Sequence, residues 1–351
     1  MLSKEICESV VTIGCPYKQP KGGVAQVMNT YSKYVYSDFR CVPNSGGSNA
    51  FVKLLRAVVS YIQTLVLLIF DRRIKVLHIH TASYNSFKRS SYWVSLGKLF
   101  NKKIVLHIHG GGFREYYKTN PQWIKSVLDK SDCLVVLSDT WKKYFDGELE
   151  CKNVEIVENI VPSPEVSKIK KEDDRLHLLF MGLITEQKGI FELLEMINDH
   201  KELQDKIMLH VGGNGKVLEF LDMVDKFNLK SCVKFEGFVL GQKKIDLLNI
   251  ADAYILPSYI EGVPISILES MSYSLPILST PVGGIPEVVF DGVNGIMFTP
   301  GNKEEMYSAV KVLSDNSTMK EKMGKESRSM ISPHLPKSIE GKLFSIYNNL
   351  V

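Results

Sequence analysis

Short, continuous apolar runs recur along this chain, and helix-like sequence separates them. Val10–Gly14 runs into a loop at residues 16–23 that ends in two glycines, and residues 24–36 then read as a helix. Further apolar runs follow at residues 75–79, 103–108 and 133–137, each with helix-like sequence before or after it. Strands that are apolar throughout and alternate with helices belong to a parallel sheet covered on both faces. The alternation breaks once, at residues 161–175. There Pro162, Ser163 and Pro164 precede Lys168, Lys170, Lys171, Glu172, Asp173 and Asp174, which is linker composition. It then restarts with runs at 176–181, 207–211, 233–238, Ala253–Leu256 and 276–280, the second of them ending in Gly212-Gly213-Asn214-Gly215. A length of 351 residues suits two domains of ~100–200 residues each. The expectation is two α/β units with a cleft where strand ends face each other, because open parallel sheets bind ligands beyond the carboxyl ends of their strands.

Charge divides unevenly. Residues 1–170 hold 24 Lys and Arg against 14 Asp and Glu, a net +10; the remainder holds 19 against 25, a net −6. A basic half suits an anionic partner, although solvated surface explains it equally well. Cys7, Cys15, Cys41, Cys133, Cys151 and Cys232 form no Cys-x-x-Cys pair and no zinc spacing with histidine. Charges at Lys4, Glu5 and Glu8 fall where a secretory signal needs an apolar stretch, so a reducing cytoplasm is expected. No segment reaches the ~20 apolar residues of a membrane span. The nearest, residues 57–70, is broken by Ser60, Gln63 and Thr64 and flanked by Arg56 and by Asp71-Arg72-Arg73. It reads as a buried helix, with an interfacial helix as the alternative.

The richest stretch for chemistry begins where the run Ala253–Leu256 ends. Glu261 stands in a loop, Pro264 suits a first helical position, and backbone N–H groups near Val263 and Ile265 would point out of the helix start toward a phosphate. Glu269 lies about one and a half turns further on. Carboxylates accept hydrogen bonds from hydroxyls, so Glu261 and Glu269 could meet two parts of one elongated, hydroxyl-bearing ligand; the plain alternatives are a loop or cap carboxylate and a surface helix residue. Lys188 stands where a helix begins, a poor place for a cation unless an anion sits there. Gly22 and Gly23, in Lys21-Gly22-Gly23-Val24, would let backbone approach a phosphate or a sugar.

The order Glu261, Glu269, Gly283-Gly284, Pro286-Glu287 and Asp291-Gly292-Val293-Asn294-Gly295, with Gly182-Leu183-Ile184-Thr185-Glu186-Gln187-Lys188-Gly189 before it, resembles the family 4 retaining glycosyltransferases. The resemblance covers most of the chain and is sharpest between Gly182 and Gly295. It implies the GT-B fold: an α/β protein of two Rossmann-like domains facing each other across a cleft. The acceptor-side domain would span 1–165, the nucleotide-sugar domain 172–335, and a helix at 336–351 would cross back to the first. It implies that Glu261 lies beside the donor sugar, that Glu269 holds the ribose hydroxyls, and that Gly182 and Lys188 belong to the segment holding the diphosphate. His109, in His107-Ile108-His109-Gly110, matches the family's active-site histidine, and His78 and His80 read as structural. Arg89 resembles a basic residue near the acceptor in some polysaccharide-building members. One departure stands out: many members place Arg where this chain has Leu183.

The resemblance implies sugar transfer with retention, from a UDP- or GDP-linked donor to a glycan or polyprenyl-diphosphate-linked acceptor in bacterial surface-polysaccharide synthesis. No Asp-x-Asp occurs and no Cys/His cluster is legible, so neither a metal nor a cofactor is expected. There is no nucleic-acid signature. The expected location is the cytoplasm, at the inner face of the cell membrane if an anionic membrane surface is a partner. Two alternatives stay open: a non-hydrolysing sugar-nucleotide epimerase, and an inactive nucleotide-sugar-binding module.

Overall fold

The computed structural model of the protein describes residues 1–18, 22–46, 50–167, 169, 171 and 173–351. Lys21, Lys168, Lys170 and Glu172 lie outside the described residues. The chain divides into two units: residues 1–162 with 333–351, and residues 163–332.

Unit 1 is a six-stranded parallel sheet. Its strands are β1 (Val10–Gly14), β2 (Cys41–Pro43), β3 (Val76–Thr81), β4 (Lys103–Ile108), β5 (Cys133–Val136) and β6 (Val154–Ile156), in the order β2-β1-β3-β4-β5-β6. Every residue of β1, β3 and β5 is buried, which is why these runs carry no alternation. The last helix, Pro336–Leu350, belongs to this unit. It buries Ile339, Leu343, Ile346 and Tyr347, and Lys342 Nζ reaches both carboxylate oxygens of Glu158 at 2.5 Å.

Unit 2 repeats the design with β7 (Leu176–Ile184), β8 (Ile207–Gly215), β9 (Val233–Gly237), β10 (Ala253–Leu256), β11 (Ile277–Ser279) and β12 (Gly295–Met297), in the order β12-β11-β10-β7-β8-β9. The strand order reverses direction between β7 and β10, which opens a crevice at their carboxyl ends. The glycine stretch 212–215 continues β8, which pairs with β7 over nine residues, Gly182 opposite Gly213. A Cβ on Gly213 would lie 2.0 Å from the Gly182 carbonyl oxygen, so the glycine is there for close strand approach.

The apolar segment of unit 1 also departs from expectation. The helix starts at Ala50 and runs to Phe70, so residues 51–70 are long and apolar enough by length and composition to cross a membrane. It is not a buried helix: only 17% of its most apolar window is covered by the protein.

Candidate functional site

In unit 2 the carboxyl ends of β7 and β10 bring their following loops together. Glu261 Oε1 forms an ion pair with Lys188 Nζ and accepts a 2.7 Å hydrogen bond from Ser258 Oγ. The Glu261 side chain is 8% exposed and Lys188 25%, so the pair is largely shielded from water and keeps an open side. Glycines set this geometry. Gly189 has φ +67°, and a Cβ there would sit 2.0 Å from the Pro257 carbonyl oxygen, while Tyr259 N donates to Gln187 O at 2.9 Å. Gly283 has φ +59°, and its Cβ would lie 1.9 Å from Glu261 O. Gly284 N donates to Gly262 O at 2.8 Å, and Thr280 Oγ1 donates to Ser258 O at 2.5 Å. The Gly283-Gly284 turn thus clamps the loop that carries Glu261, and side chains there would push it away.

Beyond that loop, Pro264 is not the first helical residue. Its ψ of 124° is extended, so it caps the helix Ile265–Ser272. The first amides of that helix, from Ile265 onward, have no acceptor within it and carry the positive end of its dipole. Val263 is buried and Ile265 half-buried. Glu269 faces another element: Lys244 Nζ, from the helix Gly241–Ile250, meets its Oε1 at 2.5 Å. Tyr254 lies within the electrostatic reach of both carboxylates. Its hydroxyl donates to Met181 O at 2.9 Å, and its pKa is raised first by burial, with Ser266 opposing and Glu261 and Glu269 adding to the rise.

Gly182 lies within β7, and Leu183 beside it is 49% exposed, so no packing reason holds a leucine there. Ser258, Tyr254 and Lys244 were not foreseen. Lys243 and Lys244 open their helix with cations against its dipole, the same signal that marks Lys188.

In unit 1 the strand order reverses between β1 and β3, and their side of the sheet carries a ladder of histidines. His109 directly follows β4 and is buried. Its Nε2 is 2.8 Å from His80 Nδ1, and His78 Nε2 is 3.2 Å from His107 Nδ1. The rings stack: His78 on His107 at 6° and His107 on His109 at 22°. His78 Nδ1 continues to the Tyr347 hydroxyl at 2.5 Å, and that hydroxyl bonds to Tyr36. Burial pushes His78 and His109 down to about 3 and holds His80 and His107 well below the usual histidine range. All four are neutral at ordinary pH, so His109 can exchange hydrogen bonds with a ligand but carries no charge. Strand pairing therefore forms a histidine cluster that the sequence spacing did not show; nitrogens of His78, His80 and His107 lie within 4.8 Å of one another. The rings lie face to face and bond to each other, an arrangement of stacking and hydrogen bonds rather than of lone pairs converging on a point.

Gly22 caps the helix Gly23–Tyr34 with φ +102°, and a Cβ there would meet nothing, so the backbone conformation requires the glycine. Arg89 lies in the helix Asn85–Leu99. Its buried Nε has no partner among the described residues, and burial lowers its pKa.

Two parallel α/β units, one with charged groups gathered at its strand-order reversal, are the architecture of the GT-B fold. Residues 163–330 match the family described as glycosyl transferases group 1. It is 28% identical over 252 residues to an uncharacterized glycosyltransferase of Methanocaldococcus jannaschii, covering 66% of this chain and 64% of that one. It is 24% identical over 321 residues to a 41.2 kDa protein in the cps region of Klebsiella pneumoniae, covering 81% and 85%. Across the first curated relatives it matches, the chain spans 37% to 64% of their length. Among solved structures, Anabaena HepE in complex with UDP-glucose superposes with a TM-score of 0.75 at 14% identity, covering 97% of this chain and 99% of that one.

Proposed function

We propose that the protein is a retaining glycosyltransferase that moves a sugar from a UDP- or GDP-linked donor to a glycan or polyprenyl-diphosphate-linked acceptor. The observation that carries this reading is the Lys188–Glu261 pair with Ser258, held by the Gly189 and Gly283 contacts beside the helix start at Ile265. An ammonium has three donors, so Lys188 can keep Glu261 and still bond a phosphate oxygen. Together with the helix amides it stabilises the charge that develops on the leaving diphosphate. Gly182 stands beside that diphosphate, and in unit 1 the Gly22-Gly23 turn leaves backbone free to meet a phosphate or a sugar. Glu261 accepts from donor-sugar hydroxyls and takes no part as a covalent nucleophile. Glu269 takes the ribose hydroxyls, shifting from Lys244. His109 offers a neutral hydrogen bond to the donor sugar, and Arg89 a cation on the acceptor side. Protein cations supply the positive charge, so the reaction needs no metal.

The relatives named for a cps region and for amylovoran biosynthesis support a place in bacterial surface-polysaccharide assembly; the location that reading proposes is the cytoplasm, at the membrane's inner face. The UDP-glucose bound by the HepE neighbour supports a uridine nucleotide. The test is a thermal-shift screen of nucleotide sugars, followed by product analysis with and without acceptor. Transfer with the donor's anomeric configuration kept is the expected result. A changed donor released without acceptor would make the protein an epimerase. Leu183 favours one second reading, a binding module: donor bound with no turnover under any acceptor would establish it.

A further inference from the structure

The helix Ala50–Phe70 is amphipathic in the inverted sense. Its hydroxyl side chains, Ser60 and Thr64, point into the fold. Ser60 Oγ donates to Pro43 O, Thr64 Oγ1 donates to Ser60 O at 2.8 Å, and Trp93 Nε1 donates to Thr64 Oγ1 at 3.1 Å. Ser60, Thr64 and Leu68 are buried. Its large apolar side chains point out. Phe51, Leu54, Leu55, Val58, Val59, Ile62, Val66, Ile69 and Phe70 are all between 46% and 79% exposed. On an α-helical wheel these nine fall within an arc of about 160°, with Ser60 and Thr64 on the opposite side. Scattered exposed apolar residues are ordinary, but nine contiguous ones along one helix mark a binding surface.

The charges around this face are of one sign. The helix contains no acidic residue. Lys53, Arg56, Arg72 and Lys75 are exposed and form no ion pair among the described residues. The nearby Asp71 is held by Arg40 and Arg73.

We propose that the outward face of Ala50–Phe70 docks in the headgroup–acyl boundary of an anionic lipid bilayer. Apolar side chains enter the boundary while the flanking lysines and arginines meet lipid phosphates. The helix lies in the membrane plane and does not cross it, because Ser60, Thr64 and Leu68 tie its other side to the unit. A second copy of the chain fits less well: it would set these cations against their own kind with no acidic side chain on the helix to neutralise them.

The test is co-sedimentation of the full chain with phosphatidylcholine vesicles, with and without phosphatidylglycerol. Binding is expected to the phosphatidylglycerol vesicles at low salt and to fall as salt rises. The triple variant Val58→Ser, Ile62→Ser, Val66→Ser should bind more than about ten-fold more weakly. The pair Arg56→Ser, Arg72→Ser should lose roughly 25-fold, about five-fold per cation. All these positions are exposed, so unchanged melting curves serve as the folding control. Wild-type protein that stays in the supernatant at every ionic strength overturns the proposal. So does binding that both variants retain in full. A wild-type dimer that the triple variant converts to monomer, with no vesicle binding, would assign the face to a second copy instead.

Discussion

The two sheets solve the same problem, polar groups at the strand ends, in opposite ways. Unit 1 gathers histidines on β3 and β4, and burial strips them of charge, so stacking and mutual hydrogen bonds hold them. Unit 2 gathers full charges and cancels them in pairs, Lys188 with Glu261 and Lys244 with Glu269. A neutral ladder held by its own stacking and hydrogen bonds has nothing to displace. A charged pair is a site in waiting: an anion or a hydroxyl competes for one member, and the pair rearranges. Buried neutral groups and paired charges also fail under different conditions, which makes the contrast testable.

Acid should separate the units most strongly. The folded-state pKa values of His78 and His109 lie near 3, below the ~6.5 of an unfolded histidine. Their stabilisation is therefore present above pH 6.5 and is lost as pH falls toward 3. By pH 5 the two together cost about 4 kcal/mol, with His80 and His107 adding more. In unit 2, burial also lowers His210, but its hydrogen bond to Glu236 opposes that shift. Amide-exchange protection measured at pH 7 and pH 5, corrected for intrinsic rates, should fall more in β3 and β4 than in β7 and β8. Equal losses would break the contrast.

Next in size is the charged pair itself. Lys188→Ala should weaken donor binding by about 10- to 150-fold, the worth of a charged hydrogen bond to a phosphate oxygen. Because Leu183 is half-exposed, Leu183→Arg should cost little packing and should partly rescue the Lys188→Ala loss. Calorimetry on the wild type, both single variants and the double variant closes the cycle. Purely additive losses would remove the diphosphate from the Gly182–Gly189 segment.

A smaller effect is expected at the far end of the histidine ladder. Tyr347→Phe deletes the hydroxyl that bonds both His78 and Tyr36, costing roughly 1–2 kcal/mol and a few degrees in melting temperature. Donor affinity should not change. A drop in affinity with the melting temperature unmoved would show that the ladder transmits to the ligand. The smallest expected effect is none at all: turnover should persist in EDTA. Activity abolished by EDTA and restored by manganese or magnesium would overturn the metal-free mechanism.

What the residues by themselves determined was the α/β alternation, a linker composition across residues 161–175 and the chemical identities at Lys188, Glu261 and Glu269. Those follow from local rules: apolar runs too continuous for one-sided strands, glycines at turns, and cations where a helix dipole disfavours them. Only the tertiary structure decided which groups meet. Lys188 and Glu261 are 73 positions apart, and the strand order of unit 2 alone makes them neighbours. Parallel pairing of β3 with β4 turned four dispersed histidines into a stacked ladder, and pairing of β7 with β8 carried the strand on through residues 212–215. The helix at Ala50–Phe70 shows the limit most clearly. Its composition says only that one face is apolar. In the structure Ser60 and Thr64 face inward, bonded to Pro43 and Trp93, and the hydrocarbon faces out. Buried polar groups need partners, and those partners lie on other elements that the local sequence does not contain.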